Sequence, residues 1–339
     1  MPVLLRESGE RLRRRQGASP DRTFTQHRRR EHPVGLIFSS LEIRHVDNKV
    51  GFFLNLDQGT MSNEQVVRML AGIGYECIEY SVRHLNPQTM TPGQMRDLVT
   101  MTKANGLTIS EYVIQREFVH GDASVRSAEL DLTVDGLRAA GDLGIPVVNC
   151  FTGPAPFMGI GSPILHKEIS EGKAWGMVCD ACDRIVPVAE TCQVKIAIEA
   201  VYGMVCRDYY TLAELLRRYD SPFFGVNYDP SHMALHHNTV DWTIRQLKNR
   251  IFHCHVKDVA GVVGKVLGDT FVFPFLGEGR VDWVGFFAAM EEIGYDGCLS
   301  IEYEAFDYFD TTLKKDLARA AELFYSDYQS LAEQYGSRD

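Results

Sequence analysis

The chain has 339 residues, 45% hydrophobic and 24% charged, which is room for one large α/β barrel or two ordinary domains and a globular composition. Its net charge of −10 is uneven: residues 1–33 carry nine Arg and four acids, or +5, leaving −15 for the rest (−10 − 5). An acidic body argues against a nucleic-acid-tracking enzyme, and with no apolar run of about 18 residues we expect no membrane partner either.

Residues 1–45 include RLRRRQGASPDRTFTQHRRREHP, which lacks apolar periodicity and reads as a disordered basic tail; residues 46–339 read as a single domain. From Lys49 the pattern becomes regular. KVGFFLNL is a strand, and MSNEQVVRMLAGIGY a helix with Ser62 as N-cap. CIEYS is the second strand, followed by a helix with Pro92 in its first turn and Gly106 past its end. LTISEYV precedes a long helix beginning ASVRSAEL, and PVVNCF precedes the helix KAWGMVCDACDRIVPVAETC. VKIAIEA, FFGVNYD, IFHCHVKD and GCLSIEYE are strands five to eight, the last leading into a closing helix TLKKDLARAAELFYSDYQSLAEQY. Eight strand–helix units with Val/Ile/Phe/Leu-rich strands require a buried parallel sheet. No GxGxxG follows the first strand, so the expected fold is a closed (β/α)8 TIM barrel rather than a doubly wound sheet.

The eight cysteines sit mostly in periodic apolar segments, as reduced core residues of a cytoplasmic protein would. Cys179 and Cys182 form a CxxC, but in a helix-like stretch without a second pair, where core spacing explains them.

In a barrel the C-terminal ends of the strands converge on one mouth. Those ends supply Glu79, Glu111, Asn149, Glu199, Asp229 with His232, His255, and Glu302. Glu199, Asp229, His255 and Glu302 come from four consecutive strands. Three carboxylates and an imidazole form an oxygen/nitrogen set suited to Mn²⁺, Mg²⁺ or Co²⁺.

The chain from about Lys49 to Tyr328 resembles the xylose isomerase-like barrel superfamily of sugar isomerases and epimerases. The resemblance is carried by IEA at Glu199, NYDPSHM at Asp229 and His232, HCHVKD at His255, GEGRVDW at 277–283 and SIEYE at Glu302. It implies that Glu199, Asp229, His255 and Glu302 bind one divalent metal, Mn²⁺ first among the candidates, with His232 beside the substrate oxygens. Glu199 and Glu302 would then serve as base and acid on the two faces of a sugar, through an enediolate. Glu304 is a rival for Glu302, since alternation turns both to one face.

Other residues leave alternatives open. His253 is either a deeper barrel residue or a partner of a ligand. Lys257 and Asp258 either contact the substrate or pair with each other at the rim. His84 and His120 lie just beyond strands two and three, as substrate contacts or as solvated loop residues. Trp175, Trp242 and Trp283 read as packing residues. Phe271, Phe273 and Phe275 either cap the pocket or form an oligomer contact, with a homo-oligomer expected. The long loop carrying them departs from small-sugar members and hints at a bulkier glycoside. The alternative reading is therefore a lyase, either an inosose dehydratase or a C-glycoside deglycosylase subunit acting with a small all-β partner. A non-catalytic sugar-binding scaffold is the reading of another class, and intact Glu199 and Glu302 speak against it. An abasic-site endonuclease of this fold would want further His and Asp ligands on strands two to four and a basic groove.

Overall fold

The computed structural model of the chain describes residues 48–155, 165, 167–261 and 271–335. The expected tail at 1–45 lies outside the described residues, as do residues 262–270 of the loop after Asp258. Eight parallel strands close into a barrel in sequence order: β1 (Val50–Phe53), β2 (Cys77–Ser81), β3 (Thr108–Ile114), β4 (Val147–Cys150), β5 (Lys195–Glu199), β6 (Phe224–Tyr228), β7 (Ile251–Val256) and β8 (Leu299–Ile301). β1 pairs with both β2 and β8, which closes the ring.

The helices around the barrel are α1 (Asn63–Ile73), α2 (Pro92–Ala104), α3 (Ala123–Leu143), α4 (Glu171–Cys192), α5 (Tyr209–Arg218), α6 (Pro230–Leu235), α7 (Val240–Leu247), α8 (Trp283–Glu292), α9 (Phe306–Thr311) and α10 (Leu317–Tyr335). Their starts follow from local chemistry. Ser62 with Gln65, and Thr91 with Gln94, form reciprocal capping boxes, and Pro92 supplies a first residue that needs no N–H partner. Strand alternation then sorts the side chains. Tyr80 and Tyr228 turn outward, each with its hydroxyl 2.8 Å from a helix threonine, Thr102 and Thr243. Their neighbours Glu79, Asn227 and Asp229 therefore face the barrel axis. The outward residues of the strands, such as Phe52, Ile78, Ile196, Val226 and Ile301, are fully buried against the helices.

Two stretches depart from the expected elements. The closing helix does not begin at Thr312: α9 ends at Thr311, and Lys314 and Lys315 at φ 53° and 63° break the chain before α10. The short α6 is not visible as a periodic run, because Asp229 starts it, capping Ser231 N at 2.7 Å with Pro230 in the first position. A cavity of about 690 Å³ lies at the floor of the barrel among strand starts such as Thr108, Val147, Lys195 and Ile251. Catalysis in this architecture belongs to the opposite end.

Candidate metal centre

At the mouth, Glu199, Asp229, His255 and Glu302 each offer a ligand atom, and these atoms all lie within 4.8 Å of one another. β5 ends on Glu199, Asp229 and Glu302 directly follow β6 and β8, and His255 is the next-to-last residue of β7. All four are buried. His255 Nδ1 sits 3.4 Å from Glu199 Oε1 and 3.2 Å from Glu302 Oε2. Asn149 and Asn227 donate to Glu199 Oε2 at 3.0 and 3.2 Å, which fixes that carboxylate from below. Asp229 Oδ2 is buried, and the cation beside it in the folded chain is the Lys257 ammonium at 2.9 Å. A set of three hard carboxylates and one imidazole fits a divalent cation.

The charges are unusual for a barrel interior. Lys257 is also buried, and its ammonium lies 2.9 Å from Asp229 Oδ2, 2.5 Å from Glu302 Oε2 and 3.1 Å from Glu304 Oε2. Burial would strip its proton, but Asp229, Glu302 and Glu304 together hold its pKa well above the ordinary value. Burial likewise opposes ionisation of Asp229, yet Lys257, His232 and His255 push its pKa down. His232, on α6, has Nε2 3.8 Å from Glu199 Oε1 and 3.6 Å from Asp229 Oδ2. Burial and the neighbouring Lys257 ammonium lower its pKa to about 3, so it is neutral at pH 7.

A second polar group lies below the first. Glu79 and Glu111 are not at strand ends as expected but inside β2 and β3, paired in register and fully buried. With His253 and His255 they too offer ligand atoms within 4.8 Å of one another. His255 Nε2 is 3.1 Å from Glu79 Oε2 and 3.8 Å from Glu111 Oε2. His253 is thus a deeper barrel residue as well as a neighbour of His255, and its Nδ1 lies 3.4 Å from Glu111 Oε2.

The remaining expected site residues separate. Asp258 is not available to substrate, nor does it pair with Lys257. Its Oδ1 accepts the backbone N–H of Val259 and Val281, and its Oδ2 accepts those of Gly277 and Gly279 and the Trp283 indole N–H at 3.0 Å. Five donors fill both oxygens, so Asp258 ties down the GEGRVDW segment. His84 is a buried residue whose Nδ1 lies 3.4 Å from Ser81 Oγ, not a solvated one. His120 accepts from Asp122 N at 3.0 Å and so shapes its own loop. Neither falls in the two clusters. Cys179 and Cys182 are buried in α4, in keeping with core spacing.

The long loop divides its aromatics. Phe273 lies 5.8 Å from His232 and stands over the Lys257 ammonium at 4.7 Å; Phe271 meets Phe273 at 5.5 Å and Tyr202 at 4.7 Å. These rings roof the cluster. Phe275 instead packs on Tyr308 and Phe324. Tyr202 and Asn227 were not anticipated. Asn227 was legible: it precedes Asp229 by two residues, so alternation sends it inward just as it sends His253 below His255. Tyr202 lies beyond β5 in irregular chain, where no period points.

Comparison with known proteins places the chain. SgbU of Escherichia coli K12, which carries L-ribulose-5-phosphate 3-epimerase as a provisional name, is 26% identical over 237 residues, covering 68% of this chain and 79% of that protein. Mannonate and inosose dehydratases are also among the relatives. The structure of IolI with a bound zinc atom matches with a TM-score of 0.65 at 16% identity, over 86% of this chain and 100% of that one. D-psicose 3-epimerase in the presence of D-fructose matches with a TM-score of 0.65 at 15% identity, over 85% and 100%. Structural likeness at these identities shows a common fold. The model of the xylose isomerase-like TIM barrel family matches residues 67–326, and the chain belongs to that family.

Proposed function

We propose that the chain is a divalent-metal-dependent sugar isomerase or epimerase, with Glu199, Asp229, His255 and Glu302 holding the cation and Mn²⁺ preferred over Co²⁺ or Mg²⁺. The observation that carries this reading is the convergence of those four buried groups at the mouth. When bound, the cation supplies a Lewis acid for two neighbouring substrate oxygens. Glu199, held by two amides, removes the proton from the carbon beside the carbonyl. Glu302 lies across His255 from it and returns a proton. Delivery to the neighbouring carbon isomerises; delivery to the same carbon from the other face epimerises. Lys257 and neutral His232 stand where they can donate to substrate oxygens, and Phe271, Phe273 and Tyr202 exclude water above them.

The purified chain should bind one Mn²⁺, and Glu199→Gln or Glu302→Gln should remove turnover by at least about 10²-fold while leaving the circular dichroism spectrum unchanged. Failure to bind Mn²⁺, Co²⁺ or Mg²⁺ would overturn the reading. The aromatic roof favours a second reading, elimination from a bulkier 3-oxo-glycoside or an inosose. Incubation with ketoses, inososes and 3-oxo-glycosides in D₂O separates the two: deuterium uptake at carbon without elimination marks an isomerase or epimerase, and release of aglycone or water marks a lyase. A small all-β partner and a homo-oligomer belong with these proposals, as does a cytoplasmic location. Among the described residues no helix is long and apolar enough to cross a membrane.

A further inference from the structure

The proton-transfer reading leaves the lower carboxylates without a task. Placing Glu79 and Glu111 fully inside a barrel is costly unless each meets a donor or a cation. We propose that Glu79 is a positioning residue for the cation site: it fixes which nitrogen of His255 faces the mouth. The inference rests on the metal reading above.

A neutral imidazole carries one N–H and one lone pair, and only the lone pair can ligate. The two nitrogens of His255 face opposite carboxylate pairs. Nδ1 faces Glu199 and Glu302 at 3.4 and 3.2 Å; Nε2 faces Glu79 at 3.1 Å and Glu111 at 3.8 Å. A cation held by Glu199 and Glu302 would take the Nδ1 lone pair, and Glu79 Oε2, a carboxylate that can only accept, would keep the ring's N–H on Nε2. The ring plane is held by Phe53, stacked at 5.7 Å and 10°. Asn227 does not select the nitrogen, because its amide nitrogen lies 3.1 and 3.2 Å from the two of them. Glu79 itself is held in the middle of β2, in register with Phe53 on one side and Glu111 on the other.

The competing use of the lower group is a second cation on Glu79, Glu111, His253 and His255. That ion would need the Nε2 lone pair of the ring that already gives Nδ1 to the mouth. Serving both would require an imidazole stripped of its last proton. One cation with Glu79 as its indirect support needs no such species.

The test is a calorimetric Mn²⁺ titration of the full chain as wild type, Glu79→Leu and Glu79→Gln, with ring-¹⁵N histidine spectra of the Zn²⁺-loaded wild type. Glu79→Leu, which leaves Nε2–H without an acceptor, should weaken Mn²⁺ binding about 10–100-fold. Glu79→Gln keeps an acceptor oxygen and should recover most of the loss, which a purely space-filling role would not distinguish. The spectra should show His255 protonated at Nε2 and bound through Nδ1. Equal Mn²⁺ affinity of wild type and Glu79→Leu overturns the inference alone, as does ligation through Nε2 or a stoichiometry of two Mn²⁺ per chain. No Mn²⁺ binding by wild type overturns the metal reading and this inference with it. Should Glu79→Leu not fold, the ring spectra decide.

Discussion

Asp258 and His84 show how far a residue's type underdetermines its role. Because each follows a strand into the mouth, Asp258 reads as a substrate contact or a partner of Lys257, and His84 as a substrate contact or a solvated loop residue. Asp258 instead satisfies four backbone N–H groups and an indole, donors that a substitution would leave stranded. Asp258→Ala should therefore destabilise the fold by about 3–5 kcal/mol, measured by urea unfolding, because buried donors to a charged acceptor are costly to orphan. His84 makes a pH prediction. Burial, helped by Arg83, lowers its pKa from 6.5 to about 4. The unfolded chain thus takes up this proton first on acidification. Stability contributed by neutral His84 is present above pH 6.5 and is lost as pH falls toward 4. Wild type should lose on the order of 2 kcal/mol more over that window than His84→Asn, read from unfolding midpoints across pH.

At the scale of elements, the barrel was legible because each strand is an apolar run of strand length set between amphipathic helices. The mouth cluster was legible because Glu199, Asp229, His255 and Glu302 end such runs. Glu79 and Glu111 share that residue type and face, and the difference is depth. A sequence gives the face a strand residue occupies but not how far along the barrel axis it sits. That depends on register, and β3 slips against β2 between Ile78 and Glu79. α6 and α9 escaped because six residues are too few to show a helical period. Strand propensity would also mislead at Gly225 in β6. An added Cβ there would meet the Arg250 carbonyl oxygen at 2.4 Å and the Phe252 ring at 2.5 Å. Gly225→Ala should cost about 1–3 kcal/mol in urea unfolding, although alanine is otherwise the better residue for an ordered backbone.

Taken as a whole, the molecule concentrates acid along its axis. Glu79, Glu111, Glu199, Asp229 and Glu302 are all buried there, and the burial of Glu111 beside Glu79 pushes its carboxyl well above the ordinary range. A cation that binds this folded core and not the unfolded chain must stabilise the fold. Mn²⁺ at 100 times its Kd should add about 2.7 kcal/mol, seen as a rise in Tm that chelator reverses.

Lys257 sets what that chelation can do. Its ammonium lies against Asp229 and Glu302, two of the four groups of the mouth cluster, and beneath the Phe273 ring. The chain therefore carries its own counterion, and a chelator should silence it without denaturing it, unlike small domains whose folding is the metal's own binding energy. Lys257→Met would convert the barrel into such an obligate metalloprotein: folded when loaded, unfolded or aggregated in EDTA.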